Sequence, residues 1–96
     1  MRRAAKIDGN HDQVVSALRA AGARVLSLAA VGGGVPDLLV GFGSRFYAIE
    51  IKDGHLPPSA RKLTPDQDEW HKHWADYPVY VVHSPEEALK AIGALR

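Results

Sequence analysis

Three ionisable residues of this chain lie inside otherwise apolar stretches, and their types point to chemistry on a phosphodiester. Asp37 follows a proline in the run Gly34–Val40, and Glu50 and Lys52 stand two apart in the run Tyr47–Lys52. Ionised groups near a core cost several kcal/mol each unless they are paired or bind a metal. Two carboxylates and an ammonium in such a setting match what metal-assisted phosphodiester cleavage requires.

Hydrolysis of a phosphodiester needs charge neutralisation on the phosphate and an activated water, and a Mg²⁺ ion can supply both. Such an ion prefers hard oxygen ligands, which Asp37 and Glu50 would provide, with the backbone carbonyl of Ile51 as a third ligand. Lys52 would orient the attacking water or stabilise the charge that develops in the transition state. The chain has no pattern that predicts a small-molecule cofactor.

The order of the elements decides whether these residues can meet. An apolar strand at 38–40, turn residues at 41–44 and a strand at 45–52 predict an antiparallel hairpin. Side chains of a strand alternate between its faces. One face of the second strand should carry Phe46, Ala48, Glu50 and Lys52, and the other Tyr47, Ile49 and Ile51. Asp37 enters the neighbouring strand at its start, so in the obvious register the three ionisable residues should converge.

The chain before the hairpin predicts a helix over 10–22, with Val14, Val15, Leu18 and Ala21 at helical spacing, and a strand over 24–30. The triple glycine Gly32–Gly34 predicts a flexible turn, or a place where another backbone comes close. No lysine or serine follows it at the spacing of a phosphate-binding loop, so we expect it to give DNA or a partner chain access to the site.

After a loop over 53–63, Thr64, Pro65 and Gln67 form the capping signature of a second helix. An aromatic face follows, and Pro78 should end this helix. That face consists of Trp70, Trp74 and Tyr77. Both tryptophans are expected in the core or in a dimer interface. A strand at 79–82 and a final short helix complete the chain. The last helix opens at Ser84–Glu87 and presents Leu89, Ile92 and Leu95.

The length and composition of the chain limit its possible domain organisation and cellular location. Its 96 residues predict one domain, numbered 1–96. Self-association would add to the modest stability expected of so small a core. Without cysteine, it has no disulfide framework and no thiolate metal site. No apolar run approaches a membrane span, and no apolar segment follows the basic N-terminus as in a secretory signal. These features are compatible with a cytoplasmic protein, which is the location that we expect.

Positive charge is concentrated in two places, although the formal net charge is only +1. The first is a basic N-terminal arm, residues 1–8, with Arg2, Arg3 and Lys6, and the second is Arg61–Lys62. These five side chains are either solvated surface or contacts to DNA phosphates. The five histidines do not predict a zinc site, since His71 and His73 are two apart on a helix and do not face each other.

These motifs resemble the PD-(D/E)XK nuclease superfamily, with Pro36–Asp37 as its first element and Glu50–Lys52 as its second. The longer combination, in which Gly34–Val40 and Glu50–Gly54 are joined by Leu63–Gln67, resembles a stand-alone VRR-NUC domain of the phage and bacterial kind. The resemblance implies an α/β, restriction-endonuclease-like fold. Its αβββαβ core would have a central mixed four-stranded sheet flanked by helices, and a short C-terminal helix would follow.

The resemblance further implies a Mg²⁺- or Mn²⁺-dependent, structure-specific DNA endonuclease that resolves four-way (Holliday) junctions as a homodimer. It assigns Gln67 to the site, where it would hold Lys52 or the substrate. Gln13 is the further metal-ligand candidate, where many relatives carry a glutamate, and Asp12 replaces it if the alignment shifts by one residue.

Alternatives to this interpretation stay open. The chain could instead cut flaps, nicks or single strands, or bind DNA without catalysis. Glu50 and Lys52 could form an exposed cross-strand ion pair on a sheet edge, which would contribute little to stability. The capping role of Gln67 explains that residue without any catalytic function.

Overall fold

The computed structural model describes residues 9–95, which form a mixed four-stranded sheet and three α-helices. In chain order the elements are α1 (His11–Ala20), β1 (Arg24–Ser27), β2 (Leu38–Phe42), β3 (Arg45–Ile51), a 3₁₀ turn (Pro58–Ala60), α2 (Pro65–His73), β4 (Val79–Val82) and α3 (Pro85–Ala91). The predicted α/β class, element order and mixed sheet are confirmed. The restriction-endonuclease-like assignment stays a prediction. The basic arm, with Arg2, Arg3 and Lys6, lies outside the described residues.

The β2–β3 hairpin fixes the register on which the site depends. Neighbouring strands follow the order β1-β2-β3-β4, antiparallel in the first two pairs and parallel in the third. Gly43 and Ser44 join β2 to β3 with φ of 58° and 65°, the left-handed geometry that a two-residue hairpin turn needs. Leu38 pairs with Ile49. Asp37 precedes Leu38 and Glu50 follows Ile49, so both residues lie at this end of the hairpin.

The core lies on one face of the sheet, between β2–β4 and the helices α1 and α3. As predicted, Tyr47, Ile49 and Ile51 alternate into this face. The side chains packed with them are Val14, Leu18, Leu38, Val40, Val82, Ala88 and Ile92. Burial of each large aliphatic side chain contributes about 1.5–3 kcal/mol, so this cluster is the main source of stability.

Three element ends differ from the sequence prediction. Helix α1 stops at Ala20, and Ala21 is an exposed cap residue outside the core. Strand β1 ends at Ser27, because the partner strand β2 begins only at Leu38. In the C-terminal segment the buried residues are Ala88 and Ile92, whereas Leu95 lies beyond the end of α3 and is exposed.

Helix α2 also ends earlier than predicted, at His73 and not at Pro78. A residue before proline is disfavoured in the helical region, so the chain must leave the helix before Tyr77. It does so through a turn in which the Tyr77 N–H donates to the Trp74 carbonyl at 3.1 Å. The three predicted aromatic rings remain in contact across this turn. Their centroids are 5.1 Å apart for Trp70–Trp74 and 5.5 Å apart for Trp74–Tyr77.

Away from Glu50 and Lys52, the second face of the sheet is apolar and is left largely uncovered by the described residues. Leu26 and Phe46 are 58% and 71% exposed there. An apolar groove of about 250 Å³ lies between this face, Trp70 of α2 and Trp74, the residue that follows α2. Trp74 is 44% exposed and therefore lies outside the core, and its alternative place in a dimer interface stays a prediction. Among residues 9–95, every helix is too short or too polar to cross a membrane.

Candidate functional site

Asp37 is anchored at the C-terminal end of β3. The β2–β3 ladder ends at the Leu38–Ile49 pair, and the next N–H on that edge of β3 belongs to Ile51. The Ile51 N–H donates a hydrogen bond of 2.7 Å to Oδ2 of the Asp37 side chain. The carboxylate therefore has a fixed position at the strand end, next to Pro36, which is fully buried.

The same geometry directs the Ile51 carbonyl toward Asp37. In an antiparallel pair a residue's N–H and C=O point to the same neighbouring strand. The Ile51 N–H points to Asp37, so the Ile51 carbonyl lies on that edge of β3 too. The predicted ligand pair of one carboxylate and one backbone carbonyl is thus compatible with the observed strand end.

Glu50 and Lys52 are both withdrawn from solvent, with only 2% and 9% of their surface exposed. They lie at the end of a strand flanked on both sides by other strands. The alternative of an exposed ion pair on a sheet edge is therefore wrong. Because burial of an ionised group is costly without partners, the contacts of these two side chains decide what the site can do.

Gln67, in the first turn of α2, contacts both buried groups. Its Oε1 accepts from Lys52 Nζ at 2.8 Å, and its Nε2 donates to Glu50 Oε2 at 3.3 Å. The orientation of the amide follows from chemistry. An ammonium can only donate and an ionised carboxylate can only accept, so the amide oxygen must face Lys52 and the amide nitrogen Glu50.

The predicted capping box at the start of α2 is present as well. Gln67 Oε1 accepts from the Thr64 backbone N–H at 2.9 Å, and Thr64 Oγ1 accepts from the Gln67 N–H at 3.2 Å. One amide thus caps a helix and joins two charged side chains of β3. From the sequence these roles are competing explanations of Gln67, but the structure combines them.

The donor set fits a hard divalent cation. Asp37 directly precedes Leu38 and Glu50 directly follows Ile49, the last pair of the β2–β3 ladder, so both carboxylates belong to the same end of the hairpin. A shared cation would offset the repulsion between two like charges brought together there. Carboxylate and carbonyl oxygens are ligands that Mg²⁺ and Mn²⁺ prefer. Within residues 9–95, no three His, Asp or Glu side chains form a metal-binding group. The candidate set is smaller: two carboxylates and one backbone carbonyl.

Comparisons of the chain with protein-family models, with curated proteins and with solved structures gave no match. The resemblance to VRR-NUC domains therefore rests on the motifs of this sequence and stays a hypothesis. The geometry of the site provides an independent line of argument.

Gln13 and Asp12, the first-helix candidates, are exposed. Neither side chain makes a hydrogen bond to a site residue in the part of the chain that the structure describes. The buried positions of α1 are instead His11, Val14 and Leu18. A metal-ligand role for either candidate stays a prediction.

Asn10 is a residue of the site region that sequence reasoning missed. It is 3% exposed, and its Nδ2 donates to the backbone carbonyls of Lys52 at 3.3 Å and His83 at 3.0 Å. Asn10 thereby joins the ends of β3 and β4 through the backbone of Lys52 and His83. An asparagine before a helix is typical of an N-cap, so no sequence signal could have revealed this contact.

The loop after β3 carries the candidate phosphate contacts. Arg61 is half-buried and Lys62 is exposed. Before them, the backbone N–H of His55 donates to Asp53 Oδ1 at 2.9 Å. This hydrogen bond lowers the pKa of Asp53, and the nearby His55 ring lowers it further. The ring itself is 90% exposed, as expected for a solvated loop residue.

Proposed function

We propose that this protein is a Mg²⁺- or Mn²⁺-dependent endonuclease that hydrolyses phosphodiester bonds in structured DNA. The contact of Gln67 with both Lys52 and Glu50 carries the proposal, because it occurs at the strand end where Asp37 is anchored. Two carboxylates, a backbone carbonyl and an ammonium held by Gln67 belong to this strand end, and phosphodiester hydrolysis would use each of them.

A divalent cation held by Asp37, Glu50 and the Ile51 carbonyl would neutralise phosphate charge and favour ionisation of a bound water. Lys52 carries three N–H donors and gives one of them to Gln67. Another can orient the water or a phosphate oxygen. In the reaction a bond forms between the water oxygen and phosphorus, a P–O bond to one sugar breaks, and the departing oxygen takes up a proton.

The proposal extends to the assembly and the substrate. One chain carries one such site, whereas symmetric cutting of a four-way junction needs two sites. A two-fold homodimer supplies them. Arg61 and Lys62 lie in the loop that follows β3 and are the proposed phosphate contacts, together with Arg2, Arg3 and Lys6 of the N-terminal arm.

Cleavage of a four-way junction labelled on each strand, with Mn²⁺ present, tests the proposal. Asp37→Ala should abolish cleavage and leave junction binding intact. Asp76→Ala is the matched control, because Asp76 is an exposed carboxylate outside the site, and it should cut at the parent rate. Equal cleavage by Asp37→Ala and the parent protein would show that the site is assigned wrongly.

The same experiment separates the alternatives. Paired symmetric nicks on the junction support the homodimeric resolvase. A preference for flaps, nicks or single strands in a substrate panel keeps the nuclease but replaces its substrate. Junction binding with no cleavage of any substrate would indicate a non-catalytic DNA-binding module.

A further inference from the structure

The last residue of the triple glycine makes a close backbone contact that the other two do not make. Gly34 has φ of +83°, and a Cβ placed on it would overlap the carbonyl group of Asp66 and lie 2.8 Å from the backbone nitrogen of Gln67. These atoms belong to the first turn of α2. The close approach expected at the triple glycine is therefore made by the chain's own helix.

Gly33 provides an internal comparison. Its φ is +65°, so it shares the left-handed backbone of Gly34, but no described atom lies within 4 Å of its Cβ position. A side chain at position 33 would be disfavoured only by the left-handed backbone. A side chain at position 34 would also collide with the start of α2.

Gly34 lies at a junction between two segments of the candidate site. It stands three residues before Asp37, and the residues between include Pro36, which is fully buried and has a fixed φ. On its other side it touches the backbone of Gln67, whose side chain holds Lys52 and Glu50. The distance between the Asp37 segment and the Gln67 turn is thus set by a close approach that admits no side chain.

We propose that Gly34 is a positioning residue for the site, which fixes the Gln67 amide relative to Lys52, Glu50 and Asp37. The predicted effect of Gly34 on cleavage rests on the proposed nuclease function, whereas its predicted effect on the position of Gln67 does not. A Cβ at 34 displaces the start of α2, and the Gln67–Glu50 hydrogen bond, already 3.3 Å long, is the first to break. A misplacement of about 1 Å in an active site can lower the rate about 100-fold.

The first readout needs no cleavage. The chain has only one asparagine and two glutamines, so a nitrogen–proton correlation spectrum shows three side-chain amide pairs: those of Asn10, Gln13 and Gln67. The Gln67 pair is identified by its loss in Gln67→Ala. Gly34→Ala should move this pair toward the position of the exposed Gln13 pair. Gly33→Ala should leave it where it lies in the parent protein.

The second readout is the cleavage rate. Gly34→Ala should cut about 100-fold more slowly than the parent, whereas Gly33→Ala should stay within about threefold. If Gly34 acts through Gln67, adding Gly34→Ala to Gln67→Ala should slow cleavage little further. Full additivity of the two substitutions would contradict the inference.

The two proposals fail in different ways. An unmoved Gln67 pair in folded Gly34→Ala overturns the positioning role, whether or not the protein cuts DNA. A parent protein that cuts no DNA overturns the nuclease proposal, and the amide pair still decides the role of Gly34. If Gly34→Ala does not fold, Gln67→Ala provides the test in its place. That substitution should shift the backbone resonance of Gly34 but not that of Gly43, and an unshifted Gly34 resonance contradicts the inference.

Discussion

Toward its C-terminal end, strand β3 carries side chains of opposite character on its two faces. Tyr47, Ile49 and Ile51 point into the apolar core beneath α1 and α3. Glu50 and Lys52, the residues between and after them, are buried almost as deeply on the other face, beside Gln67 of α2. Burial of a side chain therefore does not by itself show that the residue belongs to the hydrophobic core. One face of the strand builds the core, and the other carries buried charged groups that contact Gln67.

The largest effect on stability is expected from Ile49→Ala. The side chain is fully buried in the middle of the core face, so its truncation should lower the free energy of unfolding by about 2–5 kcal/mol. Urea unfolding measures this loss. Phe46→Ala is the control on the other face, where the ring is 71% exposed, and should change stability by less than about 0.5 kcal/mol. Equal losses in both variants would contradict the assignment of the two faces.

An intermediate effect is expected from Asn10→Asp, which tests the contact of Asn10 with the backbone of Lys52 and His83. The substitution keeps the shape but replaces two N–H donors with a carboxylate oxygen that faces the carbonyls of Lys52 and His83. Loss of these buried hydrogen bonds should cost about 1–3 kcal/mol in urea unfolding. If Asn10→Asp is as stable as the parent at neutral pH, the Asn10 amide does not join the two strand ends.

The smallest effect is expected from Thr64→Ala. Loss of the hydroxyl removes one half of the capping box and should lower stability by about 1 kcal/mol. Gln67 Oε1 keeps its hydrogen bonds to Lys52 and to the Thr64 backbone N–H, so cleavage should change little. Thr64→Ser keeps the hydroxyl and should behave like the parent protein. A large loss of cleavage in Thr64→Ala with little loss of stability would show that the cap and the site cannot be separated.

The sequence predicted the features that depend on local patterns. Alternation in 45–52 gave the two faces of β3, and turn residues gave the hairpin register, which puts Asp37 and Glu50 at the same end of the β2–β3 ladder. The capping signature at Thr64–Gln67 gave the start of α2. These predictions succeeded because strand periodicity, turn conformation and helix caps are determined by neighbouring residues.

Features that depend on distant contacts were not predicted. The Asn10 side chain bonds to carbonyls 42 and 73 residues away along the chain. The packing of Gly34 against Asp66 and Gln67 also joins segments far apart in sequence. The end of α2 was placed too late because proline excludes helical geometry from the residue before it, and the turn into β4 uses several further residues.

Calorimetric titration with Mn²⁺ tests most directly whether Asp37 and Glu50 share a cation at the end of β3. The parent protein, with a non-hydrolysable DNA junction present, should bind Mn²⁺. Asp37→Asn and Glu50→Gln keep the side-chain shapes and remove one charge each. Each should weaken binding by about 100-fold or more, since even groups that only support a metal ligand contribute about 10–100-fold. Mn²⁺ binding of unchanged affinity in both variants, or no binding by the parent, would contradict the account.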